Sequence, residues 1–209
     1  MSRPPADITS ETFFETWLPE AYTASGRRAP SDAPLVRVTL SGEGGGEWEI
    51  DARGEELSIA RQAEGVAARR PDSDDHIVWI RQSAADFLAT FGGDPDLPEL
   101  LPTSFDALDF LFLDPQDVGL IRQIDGRLAL ELTGKRRRRF RLDLAVGKNG
   151  LAAGRPRATV KLDGTTYDGL RAGTVPPLKA LLERKIEVDG DRSLAMQALL
   201  LLGSRLTRK

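Results

Sequence analysis

Two stretches of the chain carry one pattern, and together they point to an internal repeat. "LVRVTLSGEGGGEWEID" (35–51) lies on "RLALELTGKRRRRFRLD" (127–143) without a gap. Val36, Val38 and Leu40 fall on Leu128, Leu130 and Leu132, Gly42 on Gly134, Trp48 on Phe140 and Ile50 on Leu142. Apolar residues at period two on both sides of a glycine-containing centre predict an antiparallel hairpin in each stretch. A second block follows in the same order: "IRQSAADFLATFGG" (80–93) lies on "VKLDGTTYDGLRAG" (160–173), with Phe87 on Tyr167 and Gly93 on Gly173. The offset changes from 92 to 80, so the first copy carries about twelve more residues. "RQAEGVAARRPDSDD" (61–75), small, polar and charged, predicts an exposed loop insertion there.

The periodicities predict a helix over 10–22 and strands at 35–41, 46–52, 56–60 and 76–81. Helices at 83–91 and 96–101 and a bridging helical region over 104–124 follow. The second half predicts strands at 127–133, 138–145, 149–153 and 156–162, helices at 164–171 and 175–183, a strand at 185–189 and a helix at 191–206. These elements fall into two tandem units, 1–104 and 105–209.

The net charge of -3 hides an asymmetry. Residues 1–104 hold 9 Arg and no Lys against 19 Asp plus Glu, a balance of -10. Residues 105–209 hold 20 Lys plus Arg against 13 acids, a balance of +7. Within the matched hairpins the signs invert: Glu43, Glu47 and Glu49 meet Lys135, Arg139 and Arg141.

The end of the chain is the most specific stretch. In "KIEVDGDRSLAMQALLLLGSRL" (185–206) a short alternating strand closes on Gly190-Asp191 and an apolar helix begins. Residues 117–206 resemble the sterol carrier protein 2 family of lipid-binding domains. The elements that carry the likeness read "LALELTG", "FRLDL", "RATVKLDGTTYDGLRAG", "PLKALLERKIEVDGD" and "RSLAMQALLLL". Arg184 stands where many members have glycine, and Asp163 where many have serine. The first half follows the pattern to about Leu101 and lacks the later strand and leucine-rich helix, which implies a degenerate unit. The resemblance implies an α+β fold: a curved mixed sheet of about five strands per unit, covered by helices, with an apolar tunnel for a lipid, fatty acyl chain or sterol-like molecule.

On the apolar faces of the elements that the resemblance sets around such a tunnel lie the expected wall residues: Val160, Leu162, Tyr167, Leu170, Leu178, Leu181, Leu182, Ile186, Val188, Met196, Leu199 and Leu200. Leu199 to Leu202 sweep ~300° of helix surface at ~100° per residue, more than one core-facing stripe requires. The additional leucines line a ligand, or they pack between domains; the sequence leaves both open.

Chemistry finds no support. With no cysteine and His76 as the single histidine, neither a thiolate, a Cys/His zinc site nor a serine triad with a choice of base can be assembled. No G-x-S-x-G elbow, Walker sequence or G-x-G-x-x-G occurs. "SGEGGGE" is glycine-rich but acidic and predicts a hairpin turn, and the three tryptophans, Trp17, Trp48 and Trp79, are expected in core or interface. The basic turn Lys135, Arg136, Arg137, Arg138 and Arg139 has three readings: a solvated turn, docking to anionic lipid headgroups, or contact with the acidic first half. Nucleic acid is the weakest partner, because the patch lacks interleaved aromatics and the pI is about 5.4.

A start without an apolar h-region and the lack of a run near 18 apolar residues lead to the expectation of a cytoplasmic protein. The expected function is non-enzymatic binding or carriage of an apolar small molecule in the C-terminal unit, with no cofactor and no metal. The alternative is a ligand-free scaffold or accessory protein whose units and partner pack through apolar helices and charged faces. A continuous apolar cavity of at least ~300 Å³ in the second unit separates the two.

Overall fold

The computed structural model describes residues 3–62, 77–101, 106–108, 111–112, 125–150, 155–197 and 199. Helix α1 is built of three pieces: Ser10–Thr12, a π-helical Phe13–Trp17 and Leu18–Ser25. Thr9 caps its start by accepting the Thr12 N–H, and Gly26 ends it at a left-handed φ of 61°, which a glycine adopts without a Cβ penalty. The strands are β1 Leu35–Ser41, β2 Gly46–Asp51, β3 Ser58–Arg61 and β4 Ile77–Ser83, followed by helix α2, Ala84–Gly92. Then come β5 Gly126–Thr133, β6 Arg139–Val146, the one-turn helix α3 Gly147–Gly150, β7 Ala158–Asp163, α4 Gly164–Arg171, α5 Pro177–Leu182, β8 Ile186–Gly190 and helical residues 192–197.

The eight strands among the described residues form one mixed sheet, in the order β3-β2-β1-β4-β6-β5-β7-β8. Its pairing rule recurs: β1 is antiparallel to β2 and parallel to β4, as β5 is antiparallel to β6 and parallel to β7. The parallel registers agree residue for residue, since Val36 opposite Val78 corresponds to Leu128 opposite Ala158. The antiparallel registers slide by two residues: Val38 faces Trp48, whereas Leu130 faces Leu142. A slide of two keeps every side chain on its face, because the side-chain period of a strand is two. The inverted charges also keep their pairing. Arg37 and Glu49 stand opposite each other in one hairpin, and Glu131 and Arg141 form the reversed ion pair in the other.

A separate sheet of about five strands in each half is not what forms. Each half supplies four strands, and the antiparallel pairing of β4 with β6 joins them. In the first half β3 flanks β2; in the second, the matching place beside β6 is taken by β4. The strand expected at 149–153 is absent as far as Gly150, which ends α3; residues 151–154 lie outside the described part.

The helix expected at 96–101 is also absent. Asp94 Oδ1 accepts the N–H of Asp96 and its carbonyl that of Leu97, closing a tight turn ahead of Pro98, which cannot donate to a helix. The 104–124 region lies almost wholly outside the described residues, as do His76 and residues 63–75 of the insertion expected at 61–75, whose first residue, Arg61, instead ends β3. Both departures from the family pattern have physical counterparts. Arg184 takes φ 55°, the left-handed region glycine favours, and Asp163 caps α4 by accepting the Thr166 N–H as a serine could.

Helices cover one face of the sheet over two apolar clusters. One gathers Phe13, Phe14, Leu18, Val36, Val38, Trp48, Ile50 and Phe87 from the first half. The other gathers Leu128, Leu132, Phe140, Val160, Leu162, Ile186 and Leu194, together with Leu97 and Leu100 from the connecting turn.

Candidate functional site: an apolar cavity between the two halves

Where the two clusters meet, the packing is incomplete. A cavity of about 320 Å³ lies there. Its floor is five adjacent strands: Val38 of β1, Ile80 and Gln82 of β4, Phe140 and Leu142 of β6, Leu130 of β5 and Leu162 of β7. Its roof is Phe13 and Phe14 of α1, Phe87, Thr90 and Phe91 of α2, and Tyr167, Leu170 and Arg171 of α4. Leu100, Leu101, Ala107, Pro177 and Leu199 complete it. Ile80, Leu130 and Leu142 face the sheet's covered side yet remain only half-buried, because the side chains that would cover them are missing at the cavity.

The π-helical turn explains part of the roof. One additional residue per turn puts the consecutive Phe13 and Phe14 both inward. Phe13 meets Phe87 edge-on with centroids 5.0 Å apart and stacks on Phe91, also at 5.0 Å, while Phe14 stacks on Trp48 at 4.5 Å. The helical roof from the first half is therefore mostly aromatic, whereas the second-half lining, apart from Phe140, Tyr167 and Arg171, is aliphatic.

Polar groups are few and mostly engaged. Thr90 Oγ1 donates to the Asp86 carbonyl, and the Tyr167 hydroxyl donates to the Leu100 carbonyl. Burial pushes the Tyr167 phenol up to about 12, with Arg171 pulling the other way. Arg171 Nη1 lies 2.6 Å from Glu99, whereas its buried Nε has no hydrogen-bond partner. Among the described residues no cluster of His, Cys, Asp or Glu could hold a metal ion.

Of the expected wall residues, Leu162, Tyr167, Leu170 and Leu199 line this cavity. Val160 and Ile186 are buried in solid core, and Leu181 and Val188 pack half-buried against it. Ile186 and Val188 belong to β8, one strand beyond the end of the cavity floor. Met196 is half-buried away from the lining, and Leu200 lies outside the described residues. Leu178 and Leu182 are 60% and 76% exposed, because α5 turns Ala180 to the core and these leucines to the other side. Sequence reasoning looked for walls only in the second half. The signal for the others was the paired Phe13-Phe14 and the Phe87/Phe91 spacing on the helices of the first half.

The basic turn splits. Arg138 pairs with Asp86 at 2.7 Å and Asp94 at 3.0 Å, and Arg136 lies 3.8 Å from Asp96, all three acids from the first half. Burial pulls the Arg138 pKa down, and the Asp86 and Asp94 carboxylates more than offset this, leaving it above the ordinary value. Lys135, Arg137 and Arg139 have exposed side chains.

Residues 105–202 match the SCP-2 sterol transfer family. The matched segment supplies Leu130, Phe140, Leu142, Leu162, Tyr167, Leu170 and Leu199 to the cavity. Among solved structures, apo sterol carrier protein 2 from Yarrowia lipolytica aligns at 16% identity and a TM-score of 0.36, over 45% of this chain and 79% of that one. The sterol carrier protein domain 2 of Helicoverpa armigera aligns at 20% and 0.34, over 46% and 79%. The sterol carrier protein 2-like 2 of Aedes aegypti aligns at 20% and 0.29, over 38% and 75%. No curated protein sequence matches the chain. No helix among the described residues is long and apolar enough to cross a membrane.

Proposed function

We propose that this chain binds and carries an apolar small molecule, a lipid, fatty acyl chain or sterol-like compound, and performs no chemistry on it. The units 1–104 and 105–209 both contribute wall, so the site is composite rather than a tunnel of the second unit alone. One observation carries this reading: a cavity of about 320 Å³ lined almost entirely by apolar side chains, inside a chain whose C-terminal segment matches a sterol transfer family. Each methylene moved from water onto such walls yields roughly 0.8 kcal/mol, so binding needs no polar anchor. The ion pairs of Arg138 favour a second reading, in which the basic turn serves contact between units and the protein is a ligand-free scaffold.

Native mass spectrometry of gently purified protein, with solvent extraction of what it holds, separates the two. Carriage gives a mass increment near one lipid per chain. An empty protein that also takes up no fatty acid, acyl-CoA or sterol leaves the scaffold.

A further inference from the structure

Leu178 and Leu182 are the large apolar side chains left exposed among the described residues, at 60% and 76%. They lie one turn apart on α5, on the side opposite the fully buried Ala180. Pro177, at the start of the same helix, lines the cavity, so one short helix carries both cavity wall and exposed apolar face. Its surroundings are basic: residues 176–185 hold Lys179, Arg184 and Lys185 against Glu183 alone, and all four are exposed. Glu183 is shared between Lys185 at 2.7 Å and Lys179 at 3.8 Å. The acids of the neighbouring β8, Glu187 and Asp189, alternate with Ile186 and Val188, which pack under the helices, and so belong to the other face of the sheet.

We propose that α5 docks the protein on the surface of an anionic lipid bilayer, Leu178 and Leu182 entering the headgroup boundary and Lys179, Arg184 and Lys185 facing the lipid charges. A weak apolar anchor becomes effective when a basic patch adds to it, and this helix presents both signals side by side. A protein partner fits the patch less well, because two leucines of a six-residue helix are far from the ~800 Å² per partner of a stable interface. Docking here would bring the cavity wall to the lipid from which an apolar cargo is exchanged.

The test is sedimentation of the full chain with vesicles of phosphatidylcholine alone and with phosphatidylserine added. The wild type is expected to sediment with the anionic vesicles, and added salt to weaken this. The double variant Leu178→Ser/Leu182→Ser is expected to lose about tenfold or more in partitioning, tenfold being ~1.4 kcal/mol. Lys179→Glu/Lys185→Glu is expected to abolish the preference for anionic vesicles. All four side chains are exposed, so near-ultraviolet dichroism should stay unchanged. Wild-type protein that ignores anionic vesicles overturns the proposal, as does undiminished binding by the leucine variant. A dimer in light scattering that the leucine variant dissolves, without vesicle binding by the wild type, overturns it in favour of a second copy. Protein that is empty in mass spectrometry yet binds vesicles through these residues sinks only the carrier reading.

Discussion

The guanidinium of Arg138 lies 2.7 Å from the carboxylate of Asp86, and this pair ties the second hairpin turn to the first residues of α2. Asp86 is the more enclosed partner, its side chain only 8% exposed, and its other oxygen accepts the Arg141 N–H. Ser83 caps α2 through the N–H of Asp86, so one acid anchors a helix start, a strand and a turn.

Removing the cation strands that acid. Arg138→Met is expected to cost about 2–3 kcal/mol in urea unfolding, mostly from leaving Asp86 enclosed and unpaired. A double-mutant cycle with Asp86→Asn should return a coupling of about 1–2 kcal/mol. A cost below ~0.5 kcal/mol would make the contact an ordinary surface pair.

Gly134 precedes the same turn and permits a close approach. A Cβ there would lie 2.0 Å from the Asp96 carbonyl oxygen, which also accepts the Lys135 N–H at 2.6 Å. Gly134→Ala should therefore destabilise by about 1–3 kcal/mol through steric displacement of the Asp94–Leu97 turn. Gly42, its counterpart in the first hairpin, has nothing within 4 Å but takes φ 90°, so Gly42→Ala should cost about 1–2 kcal/mol through backbone strain alone. Thermal unfolding of the two variants, with proteolysis at the Asp94–Leu97 turn, distinguishes the causes: only Gly134→Ala should loosen that turn.

The Tyr167 phenol sits against the cavity and donates to the Leu100 carbonyl. Below pH 10 it is neutral in both folded and unfolded chains. From its ordinary 10.0 to about 12 the unfolded chain ionises while the folded one holds the proton, so stability is lost as pH rises through that window. The loss attributable to this group is roughly 2–3 kcal/mol. Tyr167→Phe should flatten the alkaline limb of the stability profile and remove one late-titrating tyrosine from the absorbance of the folded protein. A Tyr167 that ionises at its ordinary pKa would show the cavity to be wet.

Most of the sheet was legible because strands write a period of two into the sequence. The matched hairpins gave β1, β2, β5 and β6 within two residues, and the offset of 80 set the sequence of β7 on that of β4, each a strand parallel to the first strand of its hairpin. The joining of β4 to β6 left no such trace. A strand buried on one face reads the same whichever neighbour it pairs with, so Ile80 gives no sign that Leu144 stands opposite. The cavity was half legible for the same reason. Leu162, Tyr167, Leu170 and Leu199 follow from apolar faces that the family resemblance sets round a ligand, but Phe13, Phe87 and Phe91 look like any core aromatics. What separates a wall from a core is the missing atom beyond it, and only the fold reveals that.

A composite cavity makes a demand that a tunnel in one half does not. Ile80 of β4 and Leu142 of β6 line it from opposite halves, on adjacent strands, and both are half-buried. A tryptophan at either position projects into open space rather than solid core, so overpacking should stay within about 1–2 kcal/mol. Ile80→Trp and Leu142→Trp are each expected to displace the co-purifying apolar molecule, lowering occupancy in native mass spectrometry by about tenfold, ~1.4 kcal/mol. Glu55→Trp, at an exposed position outside the lining, should leave occupancy unchanged and serves as the control. If Leu142→Trp empties the protein while Ile80→Trp does not, the ligand lies within the second half, and the aromatic wall of Phe13, Phe87 and Phe91 is only core.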